Sequence, residues 1–331
     1  MKKALITGIN GQDGSYLTEF LLDKGYQVWG ILKRNSVAEN QTYRLNSVYG
    51  HPNLKLEYAD MLDFASLVRV LQKSMPHEVY NLAAQSHVRI SFDQPIYTAE
   101  ITGVGTLKLL EAVRLICPTS RVYQASSSEM FGNNIDADGY QRETTAMSPV
   151  SPYGCAKVFS YNICVNYRNS YNMFISNGIL FNHESPRRGS NFVTNKVAKE
   201  AAKIKLGLSD KLTLGNMEAT RDWGHAKDYV EAMWMILQHD VPDDFVCATG
   251  ISHSVQDLVN FVFNYLDLDP QKYVRTDPRY LRPEELRDLK GDCSKLKNAL
   301  GWKLSYTFED MMKEMVDYWL DFFKKNPQAN G

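Results

Sequence analysis

Tyr153 and Lys157 stand four residues apart, a spacing that brings both side chains to one face of a helix. A phenol is protonated at neutral pH, and a neighbouring ammonium lowers its pKa towards that of a base able to take a hydroxyl proton. Tyr–Lys pairs at this spacing are also ordinary surface neighbours, so the pair gains meaning only from its surroundings. Upstream lies the run Ser126-Ser127-Ser128-Glu129, at the end of a stretch that reads as a strand. A serine hydroxyl there can hydrogen-bond a substrate hydroxyl undergoing oxidation. A carboxylate two residues on adds a second capability. It can remove the acidified proton from the carbon beside a new ketone, and as a carboxylic acid it can then protonate a departing hydroxyl. A helix cap or a salt bridge is the plainer use of Glu129.

The elements that must hold these residues are readable around them. Lys3 to Thr7, Gln27 to Leu32, Leu54 to Tyr58, Glu78 to Leu82 and Arg121 to Ala125 read as strands. Helical stretches Gly14 to Lys24, Phe64 to Lys73, Ile96 to Ile116 and Tyr153 to Tyr171 alternate with them. This β-α-β alternation predicts an α/β fold, a doubly wound parallel sheet of the Rossmann type, with ligands at the carboxyl ends of the strands. Strand Phe174 to Leu180 follows. The segment Asn182 to Phe192 reads as irregular, and helices are expected near Lys227 to Leu237, Val255 to Tyr265 and Phe308 to Phe322. We therefore expect a dinucleotide domain over 1–181, with later segments able to return to it. Residues 182–331 are expected to form mainly a smaller α/β lobe that binds substrate.

Between the first strand and first helix runs Thr7-Gly8-Ile9-Asn10-Gly11-Gln12-Asp13-Gly14. Its glycines, spaced GxxGxxG, permit a tight turn and close approach of the backbone to a pyrophosphate at the helix N-terminus. A bound nicotinamide would bring positive charge that lowers the Tyr153 pKa further. Past the second strand, Lys33-Arg34 stands where an acidic residue would favour NAD; a guanidinium complements a ribose 2′-phosphate, so NADP is expected. Asp60 and Met61 follow the third strand, and the small residues of Leu82-Ala83-Ala84-Gln85-Ser86 follow the fourth, where a cofactor would lie close.

The 37 basic and 38 acidic residues of the 331 leave a formal charge of −1, which argues against nucleic-acid binding. No apolar run approaches the roughly 20 residues of a membrane span. Five cysteines (Cys117, Cys155, Cys164, Cys247, Cys293) without CxxC spacing predict reduced thiols in the cytoplasm and no metal site.

Taken with these motifs, Tyr80-Asn81-Leu82-Ala83-Ala84-Gln85-Ser86-His87-Val88, the run Gly178 to Gly189 and the run Arg221 to Val230 give a resemblance that spans nearly the whole chain. The sequence resembles the extended short-chain dehydrogenase/reductases, and among them the GDP-mannose 4,6-dehydratase family. The resemblance implies an NADP-dependent hydro-lyase that converts GDP-mannose to GDP-4-keto-6-deoxy-mannose with the cofactor retained. In that scheme Tyr153 takes the C4 hydroxyl proton, Lys157 holds the ribose and lowers the Tyr153 pKa, and Ser127 orients the C4 oxygen. Glu129 takes the C5 proton and helps to expel the C6 hydroxyl as water, and hydride returns to C6. His183 and Arg188 reach the cofactor. Asn182, Val193, Lys196, Arg221, Arg282 and Glu285 match family positions around the sugar nucleotide. A homodimer or homotetramer is implied, with the segment from Arg34 to Asn46 able to reach a neighbouring subunit.

The chain departs from the family pattern in three places. Ser127 replaces a usual threonine and keeps the hydroxyl, Val150 replaces the arginine of Arg-Ser-Pro-Tyr, and Cys155 replaces a small or aliphatic residue. A GDP-linked manno-heptose offers the same C4, C5 and C6 atoms to the same groups. A nucleotide-sugar epimerase or dehydrogenase would use Ser127, Tyr153 and Lys157 without needing Glu129.

Overall fold

Short β-branched and aromatic runs bounded by Gly, Asn or Pro become strands, and amphipathic stretches opened by Ser, Thr or Asp become helices. The computed structural model describes residues 1–34, 41–280, 286 and 288–329. The first half contains β1 (Lys3–Thr7), α1 (Gln12–Asp23), β2 (Gln27–Leu32), β3 (Leu54–Tyr58), α2 (Phe64–Ser74), β4 (Glu78–Asn81), α3 (Val88–Asp93), α4 (Pro95–Thr98), α5 (Gly105–Ile116) and β5 (Arg121–Ser127). It continues through α6 (Pro152–Tyr171), β6 (Ile175–Leu180), β7 (Asn182–Glu184), α7 (Val193–Lys205), β8 (Leu212–Leu214), β9 (Thr220–His225) and α8 (Ala226–Gln238). Last come β10 (Asp244–Cys247), β11 (Ser252–Ser254), α9 (Val255–Tyr265), α10 (Pro270–Tyr273), β12 (Val274–Thr276), α11 (Ser294–Leu300) and α12 (Phe308–Lys325).

The main sheet has seven strands in the order β10-β6-β5-β4-β1-β2-β3, every neighbouring pair parallel. The chain winds outward in both directions from β1, so a crevice forms where β1 and β4 diverge, beyond their carboxyl ends. Leu21, Tyr229 and Met233 from α1 and α8 cover one face. Leu67, Leu109 and Cys164 from α2, α5 and α6 cover the other. Burial on both faces explains the continuous apolar run Ala4-Leu5-Ile6 in β1. β10 returns to this sheet from beyond residue 181 and pairs with β6.

A second core lies under α7, α9 and α12, where Val197, Val259, Met315 and Trp223 are buried together. There β7 pairs parallel with β9, β11 joins β9 antiparallel, and β8 pairs with β12.

Two sequence expectations change. The single helix expected over Ile96 to Ile116 is interrupted: residues Ala99–Val104 form a wider π-helical stretch between α4 and α5. Gly103 within it and Gly105 just after it let neighbouring side chains pack closely, since a Cβ on Gly105 would lie 3.0 Å from Met61 Cβ and one on Gly103 3.3 Å from the Phe159 ring. The segment expected to be irregular from Asn182 begins instead as β7, because its backbone finds partners on β9. No described helix is long and apolar enough to cross a membrane.

Candidate active site

β5 ends at Ser127, whose Oγ caps the turn that follows by accepting from the Glu129 N–H at 3.2 Å. That turn, Ser128–Met130, buries the Glu129 side chain at the mouth of the sheet. α6 begins with Ser151 as its cap (Gly154 N–H to Ser151 Oγ, 3.0 Å) and Pro152 in its first turn. Gly154 lets this turn press on the Glu129 backbone: a Cβ there would sit 2.9 Å from the Glu129 carbonyl oxygen. The close approach sets Tyr153, Ser127 and Glu129 around one space.

The electrostatics of the group are distinctive. Burial pushes the Tyr153 hydroxyl up to about 12; a hydrogen bond with Ser127 opposes the rise and the Glu129 carboxylate adds to it. Burial pulls the Lys157 ammonium down to about 8, while Asp13 works to hold its proton. Lys157 Nζ lies 5.7 Å from the centre of the Tyr153 ring and donates to the Ala125 carbonyl at 2.6 Å. Perturbed pKa values of opposite sense, side by side in a cleft, mark groups suited to moving protons.

The glycine loop follows β1, which lies two strands from β5 with β4 between them. Gly8 has φ +67°, open to glycine, and a Cβ there would meet Ala83 backbone at 3.1 Å. Gly14 is tighter still, with a Cβ falling 2.4 Å from the Gly8 carbonyl oxygen. Gly11 caps α1 without any side-chain cap, which leaves the first N–H groups of the helix directed at the crevice. Asn10 donates to the Gln41 carbonyl at 3.1 Å.

Gln12 and Asp13 hold the second lobe. Gln12 Nε2 donates to the His183 carbonyl (3.0 Å), and its Oε1 accepts from Ser185 Oγ (2.8 Å). Asp13 Oδ2 lies 2.8 Å from His183 Nε2, and His183 stacks on Tyr229 at 4.5 Å. Burial lowers the His183 pKa, but Asp13 outweighs it and the net shift is upward; Asp13 itself is held below the usual carboxylate range, its burial outweighed by His183. Arg188 reaches Glu184 Oε2 at 3.1 Å and lies 3.7 Å over the Phe192 ring. Burial pushes the Glu184 carboxyl up, with Arg188 opposing.

One cleft of about 760 Å³ joins these parts, a volume suited to a cofactor and substrate lying together. Asp13, Leu82, Ala84, Ser86, Ser127, Glu129, Tyr153 and Lys157 line it from the first half of the chain. Asn182, His183, Arg188, Val193, Lys196 and Arg221 line it from the second. Arg221 is buried and donates to the Thr220 and Leu286 carbonyls at 2.6 and 3.2 Å. Burial lowers the Lys196 pKa.

Ala83 stands behind the lining, its N–H bonded to Thr7 Oγ1 at 3.0 Å. Arg34, Asp60 and Met61 lie apart from the cleft, beyond the ends of β2 and β3. Asp60 approaches Lys33 Nζ at 3.6 Å, and Met61 is packed in the core. Arg282 and Glu285 fall outside the described residues, as do residues 35–40 of the polar segment after Arg34.

The sequence offers Arg279 as one candidate cation among many surface arginines and gives no ground to choose it; here it lines the cleft and pairs with Asp277 at 2.7 Å. Sequence reasoning missed Arg44, which donates to the Arg187 and Asn10 carbonyls at 2.8 and 3.3 Å and so ties residues 41–45 to the glycine loop. Nothing in residue type separates these from ordinary surface arginines. Among the described residues, no group of three His, Cys, Asp or Glu side chains converges as a metal site.

The parallel sheet, the glycine loop and the Ser–Tyr–Lys cluster together define an extended short-chain dehydrogenase/reductase. Solved structures share this fold. A dTDP-glucose 4,6-dehydratase from Streptomyces venezuelae with NAD bound superposes with TM-score 0.84 at 23% identity, covering 98% of this chain and 97% of that one. RMD from Pseudomonas aeruginosa, complexed with NADPH, gives TM-score 0.80 at 21% identity, covering 97% of this chain and all of that one. Within the class, a family profile described as GDP-mannose 4,6 dehydratase matches residues 5–315. GDP-mannose 4,6 dehydratase 2 of Arabidopsis thaliana is 51% identical over 98% of this chain and 88% of that protein. The Homo sapiens enzyme is 48% identical over 98% and 93%, and that of Yersinia enterocolitica 48% over 100% and 98%. The chain belongs to the GDP-mannose 4,6-dehydratase family.

Proposed function

We propose that this chain dehydrates GDP-mannose to GDP-4-keto-6-deoxy-mannose and retains NADP as it does so. The observation that carries the reading is Glu129, buried beside Tyr153 and Ser127 by the contact of Gly154 with its backbone. An epimerase or dehydrogenase needs no such carboxylate; a dehydratase does.

The residues present fit a dinucleotide: an uncapped helix N-terminus for the pyrophosphate, glycine-lined backbone at its approach, and small side chains at Ala83 and Ala84. Gly8, Gly11 and Gly14 would form the cradle, Lys157 would hold the nicotinamide ribose, and Arg34 beyond β2 selects the 2′-phosphate of NADP. When bound, oxidised NADP accepts and returns a hydride and adds positive charge beside Tyr153.

That charge, with the Lys157 ammonium, brings the Tyr153 hydroxyl down from about 12 so that its phenolate takes the C4 hydroxyl proton. Ser127 orients the same oxygen. Once C4 is a ketone its α-carbon, C5, is acidic, and the Glu129 carboxylate removes that proton. The resulting carboxylic acid protonates the C6 hydroxyl, which leaves as water. Delivery of a proton back to C5 completes a reaction that is redox-neutral overall. Arg221, Lys196, Asn182 and Val193 would hold the nucleotide half, with Arg279 a further cation for the diphosphate. Five free thiols suit a reducing cytoplasm, and we expect a homodimer or homotetramer.

The test is incubation of purified protein with GDP-mannose without added cofactor, following the nucleotide sugar by mass spectrometry. The expected result is loss of one water at many turnovers per chain, with NADP released on denaturation. No water loss from GDP-mannose, but loss from a GDP-linked manno-heptose, would transfer the same mechanism to the larger sugar.

A further inference from the structure

Thr7 on β1 faces Asn81 on β4, Asn81 faces Gln124 on β5, and Gln124 faces Asn177 on β6. All four side chains in this row are buried, with Thr7 and Asn81 the last residues of β1 and β4, in a sheet covered on both faces. Such positions are normally filled by Val, Ile or Leu, so a row of hydroxyl and amides calls for a use.

The hydrogen bonds in the row run in one direction. Thr7 Oγ1 accepts from the N–H groups of Leu82 and Ala83, both at 3.0 Å, so its own proton goes to Asn81 Oδ1 at 2.7 Å. Asn81 therefore presents Nδ2 onward, to Thr106 Oγ1 (3.2 Å) and to Gln124 Oε1 (2.7 Å). With its oxygen so engaged, Gln124 turns Nε2 to the Ala125 carbonyl at 3.1 Å. The same carbonyl accepts Lys157 Nζ at 2.6 Å. One oxygen thus takes two donors, the amide of Gln124 on one side and the ammonium on the other.

We propose that Gln124 is a positioning residue for Lys157: its amide fixes the Ala125 carbonyl, and that carbonyl sets the ammonium beside Tyr153. The proposal rests on the catalytic reading of Lys157 given above. Because the row begins at the backbone of Leu82 and Ala83, it also ties the ammonium to the loop that lines the cofactor side of the cleft. The other titratable groups near Lys157 are Asp13 on α1 and Tyr153 and Cys164 on α6, with Glu129 beyond Tyr153; none of them bonds Gln124.

Two variants separate positioning from packing. Gln124→Met keeps the bulk and removes both hydrogen bonds. Gln124→Glu keeps the shape, and its neutral acid can accept from Asn81 and donate to Ala125 while its ionised form cannot donate. For Gln124→Met we expect kcat for dehydration to fall about tenfold with KM for GDP-mannose within about twofold. For Gln124→Glu the rate relative to the parent should decline as pH rises and the carboxyl ionises. A readout independent of turnover is the titration of the Lys157 side chain by NMR with 13C-labelled lysine, assigned through Lys157→Arg. Its midpoint should move to lower pH by about half a unit or more in Gln124→Met, because the ammonium loses a fixed acceptor.

An unchanged Lys157 midpoint and pH profile, with only thermal stability reduced, would overturn the proposal and leave Gln124 a packing residue. Should Gln124→Met not fold, the pH-dependent Gln124→Glu decides alone. If the parent protein fails to dehydrate GDP-mannose, the titration still reads the link, so the two failures are distinct.

Discussion

At the scale of single residues, the proposed reaction divides the proton chemistry between Glu129 and Tyr153. Burial holds Tyr153 near 12, so in that scheme it waits on added positive charge, whereas Glu129 is assigned to a different carbon. Glu129→Gln should therefore lower dehydration of GDP-mannose by about 10² or more, as expected for loss of a general acid–base, while NADP content stays at the parent level. In D2O, deuterium incorporation at C5 should fall in parallel with loss of water; unaltered exchange at C5 would remove Glu129 from that role. Ser127, Glu129, Tyr153 and Lys157 were legible in the sequence because their side-chain chemistry is specific and they follow recognisable elements. Arg44 was not, and Arg279 could be named but not chosen, because a guanidinium carries no signal of what it faces until the chain is folded.

Among the elements, the glycine loop tolerates little. Adding one carbon at Gly14 places it 2.4 Å from the Gly8 carbonyl oxygen and 2.6 Å from Ile9 Cα, both backbone atoms that cannot swing aside. Gly14→Ala is expected to cut bound nucleotide by about tenfold or more through displaced N–H groups at the start of α1. Chromatography of nucleotide released from the purified variant measures this; parent-level occupancy would show that the loop relaxes. Strand and helix identities in the first half were readable from periodicity, and α9 spans Val255–Tyr265 as expected, its Ser254–Asp257 capping box marking the start. The failures have physical causes. β7 and β9 are too short and polar (Asn-His-Glu, Thr-Arg-Asp-Trp-Gly-His) to show alternation, and their pairing joins segments distant in sequence. The π-helical stretch keeps helical spacing of apolar residues, so no pattern announces it.

Across the whole molecule, the Asp13–His183 pair joins α1 to β7, and this gives stability a dependence on pH. Asp13 sits below its ordinary value of 3.8, so its share is present above that value and is lost as pH falls through the lowered one. His183 sits above its ordinary value of 6.5, so its share is complete below 6.5 and is lost as pH rises through the raised one. Thermal unfolding midpoints should thus decline on the alkaline side of pH 6.5, and His183→Gln should flatten that decline; a variant with the parent's slope would assign the effect elsewhere.

The two hydrogen bonds of Gln12, donated to the His183 carbonyl and accepted from Ser185 Oγ, have a thermodynamic corollary. They give the glycine loop and β7, proposed to hold the dinucleotide and the sugar nucleotide, a common position, so ordering one lowers the entropic cost of ordering the other. Linkage makes the effect reciprocal: whatever factor the dinucleotide lends to substrate affinity, the substrate returns to the dinucleotide. In the proposed reaction, a coenzyme that must take up a hydride and give it back within one encounter is thereby least able to dissociate while the half-reacted sugar is still in place.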